Sequence, residues 1–151
     1  MSDEQRREAG RPARNMSANF RFRTLETAAA AFDAYAVLLE FDSDVAFIRR
    51  LASLLSTSLP AYVADLLVAA HEGDEPRIAA IAHALRGSVG NIHADRVAGL
   101  AGFIERTARQ GRPLDRTLFG ELEEAVEHLL SEFVLWAETL EGHEHSVRDW
   151  R

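Results

Sequence analysis

The residues best suited to chemistry are a histidine and an arginine three positions apart, His83 and Arg86. An imidazole is a nucleophile near neutral pH, because a reference pKa of about 6.5 leaves such a ring largely unprotonated. On a helix the third residue after it lies one turn away, and a guanidinium there can bind phosphoryl oxygens through two N–H groups. Such a pair could attack a phosphoryl group through one ring nitrogen.

A helix with one apolar side carries both residues. Its apolar side chains recur at intervals of three or four residues, at Ile78, Ile81, Leu85, Val89 and Ile92. This spacing predicts a helix over about 75–92, with Asp74 as its N-terminal cap and Pro76 in its first turn. At about 100° per residue, the imidazole of His83 points roughly 150° away from the apolar stripe and so toward solvent.

Small residues surround His83 on that outward side. They are Ala79, Ala80, Gly87 and Gly90. A glycine inside a helix costs about 1 kcal/mol relative to alanine, so two of them need a reason. One reason is that a large partner approaches the imidazole closely, in which case these four residues form its docking surface. The other is a seam of small residues against which another helix of the same fold packs.

The same periodicity predicts the elements that position this helix. Further helices are expected over about 22–40, between Asp44 and Gly73, over 94–110 and over 114–141. Pro60 falls inside the second of these, and there it should kink or split the helix, with a kink expected near Thr57 to Leu59. Four long amphipathic helices joined by short links predict an all-α fold, an antiparallel four-helix bundle with an additional N-terminal helix.

The boundaries follow from composition. Residues 1–20 are polar and rich in arginine without periodicity, which predicts a flexible tail. The bundle is expected over 21–141, and a second polar tail over 142–151.

A known family shares the motif around the histidine. The run His83-Ala84-Leu85-Arg86-Gly87-Ser88, followed by Asn91-Ile92, resembles the signature of histidine-phosphotransfer (HPt) domains. Two flanking segments resemble that family as well: Ala70 to Asp74, before the histidine helix, and Ile104 to Gly111, on the next helix. The resemblance covers roughly Asp44 to Leu140, and it implies an HPt-like bundle.

The resemblance also implies roles. The chain would be a phosphocarrier of a two-component phosphorelay, with His83 as phosphoacceptor, Arg86 stabilising the phosphoryl group, and Glu105 accepting the Nδ1–H so that the ring is oriented. Its partners would be response-regulator receiver domains and a hybrid sensor histidine kinase. It would need no cofactor of its own, because the receiver partner supplies Mg²⁺. The sequence has no phosphate-binding glycine loop and no kinase motif, so no autonomous kinase activity is expected.

One position departs from the family pattern. His93 stands before Ala94 where HPt domains usually have glycine. That glycine lies in a tight turn between two helices, where a positive φ is often required. Histidine tolerates a positive φ better than most residues but less well than glycine, so the departure concerns the turn and leaves the site intact.

Composition narrows the class of protein. The chain has 151 residues and a net charge of −7, which argues against generic nucleic-acid binding. It contains no cysteine, which fits a cytoplasmic location. No apolar run approaches the length of a membrane span, so no membrane partner is expected. Seven arginines between Arg77 and Arg116 face only three acids; this basic segment suits docking against an acidic pocket, or is a solvated helix face.

Two other interpretations belong to different classes. The first is a non-phosphorylated, degenerate HPt-like interaction module on the same bundle. The second is a metal-binding bundle, which would need several carboxylates or histidines facing inward; the predicted inward stripes are apolar. His143-Glu144-His145 could hold a metal only weakly, because adjacent ligands without a scaffold make poor sites.

Overall fold

A computed structural model describes residues 30–140 of the chain. These residues form five helices and no strand, namely α1 (Ala34–Glu40), α2 (Val45–Glu72), α3 (Glu75–Gly90), α4 (Asp95–Arg109) and α5 (Arg116–Thr139). Helix α2 packs against α3 and α5, and helix α4 packs against the same two. The four longer helices therefore close a ring, and the predicted all-α bundle with an additional N-terminal helix is confirmed.

Aspartates begin three of the bundle helices. The carboxylates of Asp44, Asp74 and Asp115 accept hydrogen bonds from backbone N–H groups in the first turns of α2, α3 and α5. Such caps satisfy donors that have no partner within the helix. The backbone N–H of Thr117 also holds the pKa of Asp115 below its ordinary value. Gly73 ends α2 with φ 68°, a left-handed conformation that glycine adopts without strain.

Large apolar side chains from every bundle helix fill the interior. The largest that are fully buried are Ile48, Leu59, Leu66, Leu85, Ile92, Ile104, Leu122, Leu129 and Phe133. Within a helix or its end they recur at intervals of four, seven or eleven residues, which is the spacing that keeps one side of a helix in a core. The burial of one side of α3 leaves its other side free to carry the site.

The N-terminal helix is shorter than predicted. The sequence predicts a single helix over 22–40, whose apolar spacing includes Tyr35 and Leu39, but α1 begins at Ala34 and both of these residues are exposed. The reason is Asp33, whose extended backbone and side-chain bond to the N–H of Ala36 start a new helix there. The new start changes the register, so Val37 is the residue that α1 buries. The part of the predicted helix before residue 30 lies outside the described residues, as do both predicted tails.

An aromatic contact fixes the segment before α1. The ring of Phe32 lies edge-on to Phe133 at a centroid distance of 5.0 Å and 5.1 Å from the ring of Trp136. The backbone N–H of Ala31 donates to Glu132 at 3.0 Å. Both contacts fasten the segment to α5.

Helix α2 bears on two predictions, that no segment reaches the length of a membrane span and that Pro60 kinks or splits the helix. Its 28 residues are long and apolar enough to cross a membrane by length and composition, contrary to the prediction that no segment reaches that length. Eight of its residues are buried in the bundle core, however, and a core helix passes the same test. Pro60 lies inside a continuous α2, so the predicted splitting is wrong, while the kink near Thr57 to Leu59 stays a prediction.

Candidate functional site

His83 projects from the middle of α3 on the side away from the core. Its side chain is 60% exposed, while Ala82, one residue before it, and Leu85, two residues after it, are fully buried. The helix therefore holds the imidazole at the surface, as the apolar periodicity predicted. A docking protein can reach the ring.

A buried carboxylate on the adjacent helix orients the imidazole. Glu105 Oε1 on α4 lies 2.9 Å from Nδ1 of His83. A carboxylate can only accept, so Nδ1 carries the proton and Nε2 keeps a free lone pair. The side chain of Glu105 is only 6% exposed, which makes this contact part of the α3–α4 interface. The contact implied by the family resemblance is thus present in the fold.

Two guanidiniums share the same carboxylate. Arg109 Nη2 lies 2.8 Å from Oε1 of Glu105, one helical turn along α4. Arg86 Nη2 approaches the other oxygen, Oε2, at 3.5 Å, a distance for an ion pair and too long for a good hydrogen bond. Oε2 is buried without a hydrogen-bond partner. Arg86 is consequently near the site without being fixed in it.

The cations keep Glu105 ionised. Burial of the side chain raises its pKa, but the hydrogen bond from His83 and the positive charges of Arg86 and Arg109 outweigh burial and hold the pKa of Glu105 below 4.5. The carboxylate is therefore negatively charged at neutral pH. It can accept the Nδ1–H and can also balance a positive charge that develops on the ring.

The side chain of Arg86 lies against α4 at Gly102. A methyl group built on Gly102 would lie 3.4 Å from Arg86 Cδ and 3.3 Å from Arg106 Nη1. The side chains of both arginines therefore cross the helix where it has no side chain of its own. Any larger residue at this position would push at least one of them aside.

Three of the four predicted docking residues are exposed. Ala80, Gly87 and Gly90 lie at the surface, and a Cβ added to either glycine would meet no atom within 4 Å. The fourth, Ala79, is only 6% exposed, so its assignment to the docking surface was wrong. Helix α3 packs against both α2 and α4, and the sector it buries is wider than its apolar stripe.

His93 adopts a left-handed backbone conformation, which favours glycine. It has φ 54° in the turn between α3 and α4, so the predicted requirement for a positive φ is correct. Ala94 and Ile92 on either side are buried and hold the turn.

Three neighbours of the site were not predicted from the sequence, namely Gly102, Arg106 and Arg109. The interval of four residues between Glu105 and Arg109 is a signal for an ion pair on a helix, and it was available. Nothing local indicated that Gly102 would underlie two arginines from different helices. Within residues 30–140 no three acidic or histidine side chains form a metal-binding group, and His143-Glu144-His145 lies outside that range.

The remaining histidines are remote from this chemistry. His128 lies on α5, half-exposed, with Nε2 3.0 Å from Glu132. His71 is exposed near the end of α2. Neither contacts Glu105, so His83 is the histidine that the described fold combines with a carboxylate and two arginines.

A comparison with family models matches the same helices. The model described as Hpt domain matches residues 50–132, a range that includes His83, Arg86 and Glu105. No curated protein and no solved structure gave a significant match.

Proposed function

The chain belongs to the Hpt domain family, and from that premise we propose that it is a phosphocarrier of a two-component phosphorelay. His83 takes a phosphoryl group from the aspartate of one receiver domain and passes it to the aspartate of another. The observation that carries the proposal is an imidazole that is 60% exposed while its Nδ1 lies 2.9 Å from a buried carboxylate. This geometry supports Nε2 as the nucleophile, because Nδ1 is engaged by Glu105.

The proposed transfer conserves atoms and charge. The Nε2 lone pair attacks the phosphorus of the acyl phosphate, an Nε2–P bond forms, and the P–O bond to the aspartate breaks so that the carboxylate leaves with its electron pair. No proton needs to leave the ring, because Nδ1 keeps its hydrogen. The ring becomes cationic, and the charge of Glu105 stabilises it. The reverse sequence delivers the group to the second receiver.

Arg86 is the residue proposed to bind the phosphoryl oxygens. It is one helical turn from His83, and its 3.5 Å approach to Glu105 Oε2 leaves its donors available. The receiver is expected to contribute its own Mg²⁺, and the carrier needs no cofactor. The partners are therefore receiver domains and a hybrid sensor kinase, which we propose the protein meets in the cytoplasm.

The exposed small residues Ala80, Gly87 and Gly90 support close docking. Since no side chain projects at the two glycines, the receiver's loops can come within contact of the α3 backbone. A closely seated receiver would bring its phospho-aspartate to Nε2 and exclude water from the reacting atoms.

The test is transfer of labelled phosphate from a phosphorylated receiver. Wild-type protein should acquire label that is acid-labile and alkali-stable, and His83→Gln should acquire none. His128→Gln is the matched control, because that histidine is also half-exposed and pairs with a glutamate. Retention of label in His83→Gln would contradict His83 as the phosphoacceptor. No label in the wild type with any receiver of the source organism would contradict the proposed function and leave a non-phosphorylated interaction module.

A further inference from the structure

We propose that Arg86 and Arg106 together form an oxyanion seat above Gly102, so that Arg106 is a second residue that binds the phosphoryl group carried on His83. The inference rests on the proposed function for its physiological ligand, but the seat itself can be tested with inorganic phosphate.

The first observation is the convergence of two like charges. A methyl group built on Gly102 would lie 3.3 Å from Arg106 Nη1 and 3.6 Å from Arg86 Nη1. The two guanidiniums come from different helices, α3 and α4, and approach the same point. Two cations that both lie within 4 Å of one point repel each other. An anion between them would therefore be bound favourably.

The second observation is that neither guanidinium is engaged by a strong hydrogen bond. Arg86 approaches Glu105 Oε2 only at 3.5 Å, and this buried oxygen has no hydrogen-bond partner. Arg106 is exposed and forms no ion pair with any residue between 30 and 140. Both side chains can therefore turn their N–H groups to an incoming ligand.

The third observation is the local balance of charge. Arg86, Arg106 and Arg109 bring three positive charges, and Glu105 brings one negative charge. The excess is two positive charges on a protein whose net charge is −7. A phosphoryl group carries about 1.5 to 2 negative charges at pH 7, so the cluster is close to neutral only when such a group is present.

The guanidinium groups of this site indicate the class of ligand that it would bind. Guanidiniums bind tetrahedral oxyanions through paired N–H groups. Arg86 and His83 contact the same carboxylate, that of Glu105. The ligand class is therefore a phosphoryl group or inorganic phosphate. Arg106 would act by binding its oxygens after transfer, without taking part in orienting the ring.

The first experiment uses the unphosphorylated full-length protein and inorganic phosphate. Arginine side-chain N–H signals and the His83 ring are followed by NMR at constant ionic strength. Arg106→Gln should raise the Kd for phosphate about three- to tenfold, comparable with Arg86→Gln. Arg96→Gln is the matched control, since it removes the same charge from an exposed position on α4 about 15 Å from Arg106 along the helix, and it should change the Kd less than twofold.

The second experiment follows the phosphorylated protein. The rate at which the phosphohistidine is hydrolysed should rise by a similar factor in Arg106→Gln and stay unchanged in Arg96→Gln. Gly102→Ala should weaken phosphate binding with every arginine still present, because its methyl group separates the two guanidiniums. Equal behaviour of Arg106→Gln and Arg96→Gln in both experiments would overturn the seat. Failure of the wild type to accept label would overturn the proposed function alone, because the phosphate titration decides the seat independently.

Discussion

At the scale of single residues, Glu105 links the imidazole to the arginines. A carboxylate with 6% of its side chain exposed is costly unless it is paired. Here one oxygen accepts from His83 and from Arg109, while the other lies near Arg86. The pairing keeps the acid charged, and the charge keeps the proton on Nδ1.

The first prediction concerns the pH dependence of stability. The pKa of Glu105 is lower in the folded protein than its ordinary value of 4.5. The stabilisation from its charge is therefore fully present above pH 4.5 and is lost as the pH falls below that value through the folded pKa. The free energy of unfolding of Glu105→Gln should be about 1–2 kcal/mol lower than that of the wild type at pH 6. The difference between the two proteins should be smaller at pH 3. Urea unfolding at both pH values measures it.

An exposed glutamate supplies the control for this prediction. Glu124→Gln changes the same charge on the surface of α5 and should alter the unfolding free energy by no more than about 0.5 kcal/mol at either pH. A deficit for Glu105→Gln that is equal at pH 6 and pH 3 would be contrary to the charge-based explanation.

The second prediction concerns His93. Its φ of 54° is unfavourable for a residue with a Cβ, so His93→Gly should raise the free energy of unfolding by about 0.5–1 kcal/mol. Asn91→Gly is the matched control in the same turn. Asn91 has φ −74°, where glycine gains nothing and loses more conformational entropy, so that variant should be less stable. A thermal melt of both variants tests the sign, and a loss of stability in His93→Gly would contradict it.

At the scale of elements, α2 shows how packing overrides a local preference. Pro60 lacks the N–H that would bond to Ser56, yet the helix continues from Val45 to Glu72. Leu59 and Val63 on either side of the proline are buried. Their burial against α3 and α5 stabilises the helix enough to tolerate the missing bond.

The third prediction follows from this. Pro60→Ala should raise the free energy of unfolding by about 1–3 kcal/mol, because it restores a backbone hydrogen bond and removes a clash. Ala64→Pro, one turn further on at an exposed position, should lower it by about 3 kcal/mol or more. Chemical denaturation of both variants measures the two changes. A gain in Pro60→Ala as large as the loss in Ala64→Pro would mean that α2 tolerates proline no better at residue 60 than at residue 64.

Helix α3 depends on its cap in the same way. Asp74 Oδ1 accepts from the N–H of Arg77 at 3.1 Å at the start of the helix that carries His83. As a fourth prediction, Asp74→Ala should cost about 1 kcal/mol of stability. Asp74→Asn, which keeps the acceptor, should cost less than half of that. Transfer of phosphate to His83, about two and a half turns away, should be unaffected in either variant under conditions where both are folded.

At the scale of the whole molecule, one core supports both the site and the N-terminal segment. Phe133 is fully buried, contacts the rings of Phe32 and Trp136, and lies on the helix that packs against α2 and α4. The fifth prediction is that Phe133→Ala lowers the free energy of unfolding by about 3–5 kcal/mol. Leu135→Ala, two residues away and 61% exposed, should change it by less than about 0.5 kcal/mol. Similar losses in both variants would be inconsistent with this core.

The basic site on an acidic protein is also a property of the whole molecule. The seven arginines of the basic segment lie between Arg77 and Arg116, but only Arg86, Arg106 and Arg109 gather around Glu105 and Gly102. Arg77 instead pairs with Glu72 at 2.9 Å. The pair Arg77–Glu72 is a solvated helix-surface contact, while docking of the remaining basic segment against an acidic pocket stays a prediction.

The sequence by itself determined the helices and most of their ends, because caps, prolines, glycines and apolar periodicity act within a few residues. It placed His83 on the outward side of α3 and gave Arg86 its position one turn away, since both follow from 3.6 residues per turn. It also indicated the positive φ at His93. It erred at Phe32 and Asp33, where a cap interrupts an otherwise continuous apolar pattern.

Only the tertiary structure decided which side chains meet across helices. The burial of Glu105, the crossing of Arg86 and Arg106 over Gly102, and the loss of Ala79 from the surface all depend on how α3 sits against α2 and α4. Contacts of this kind depend on the rotation and offset between two helices, and these are set by packing of the whole core rather than by any local run of residues.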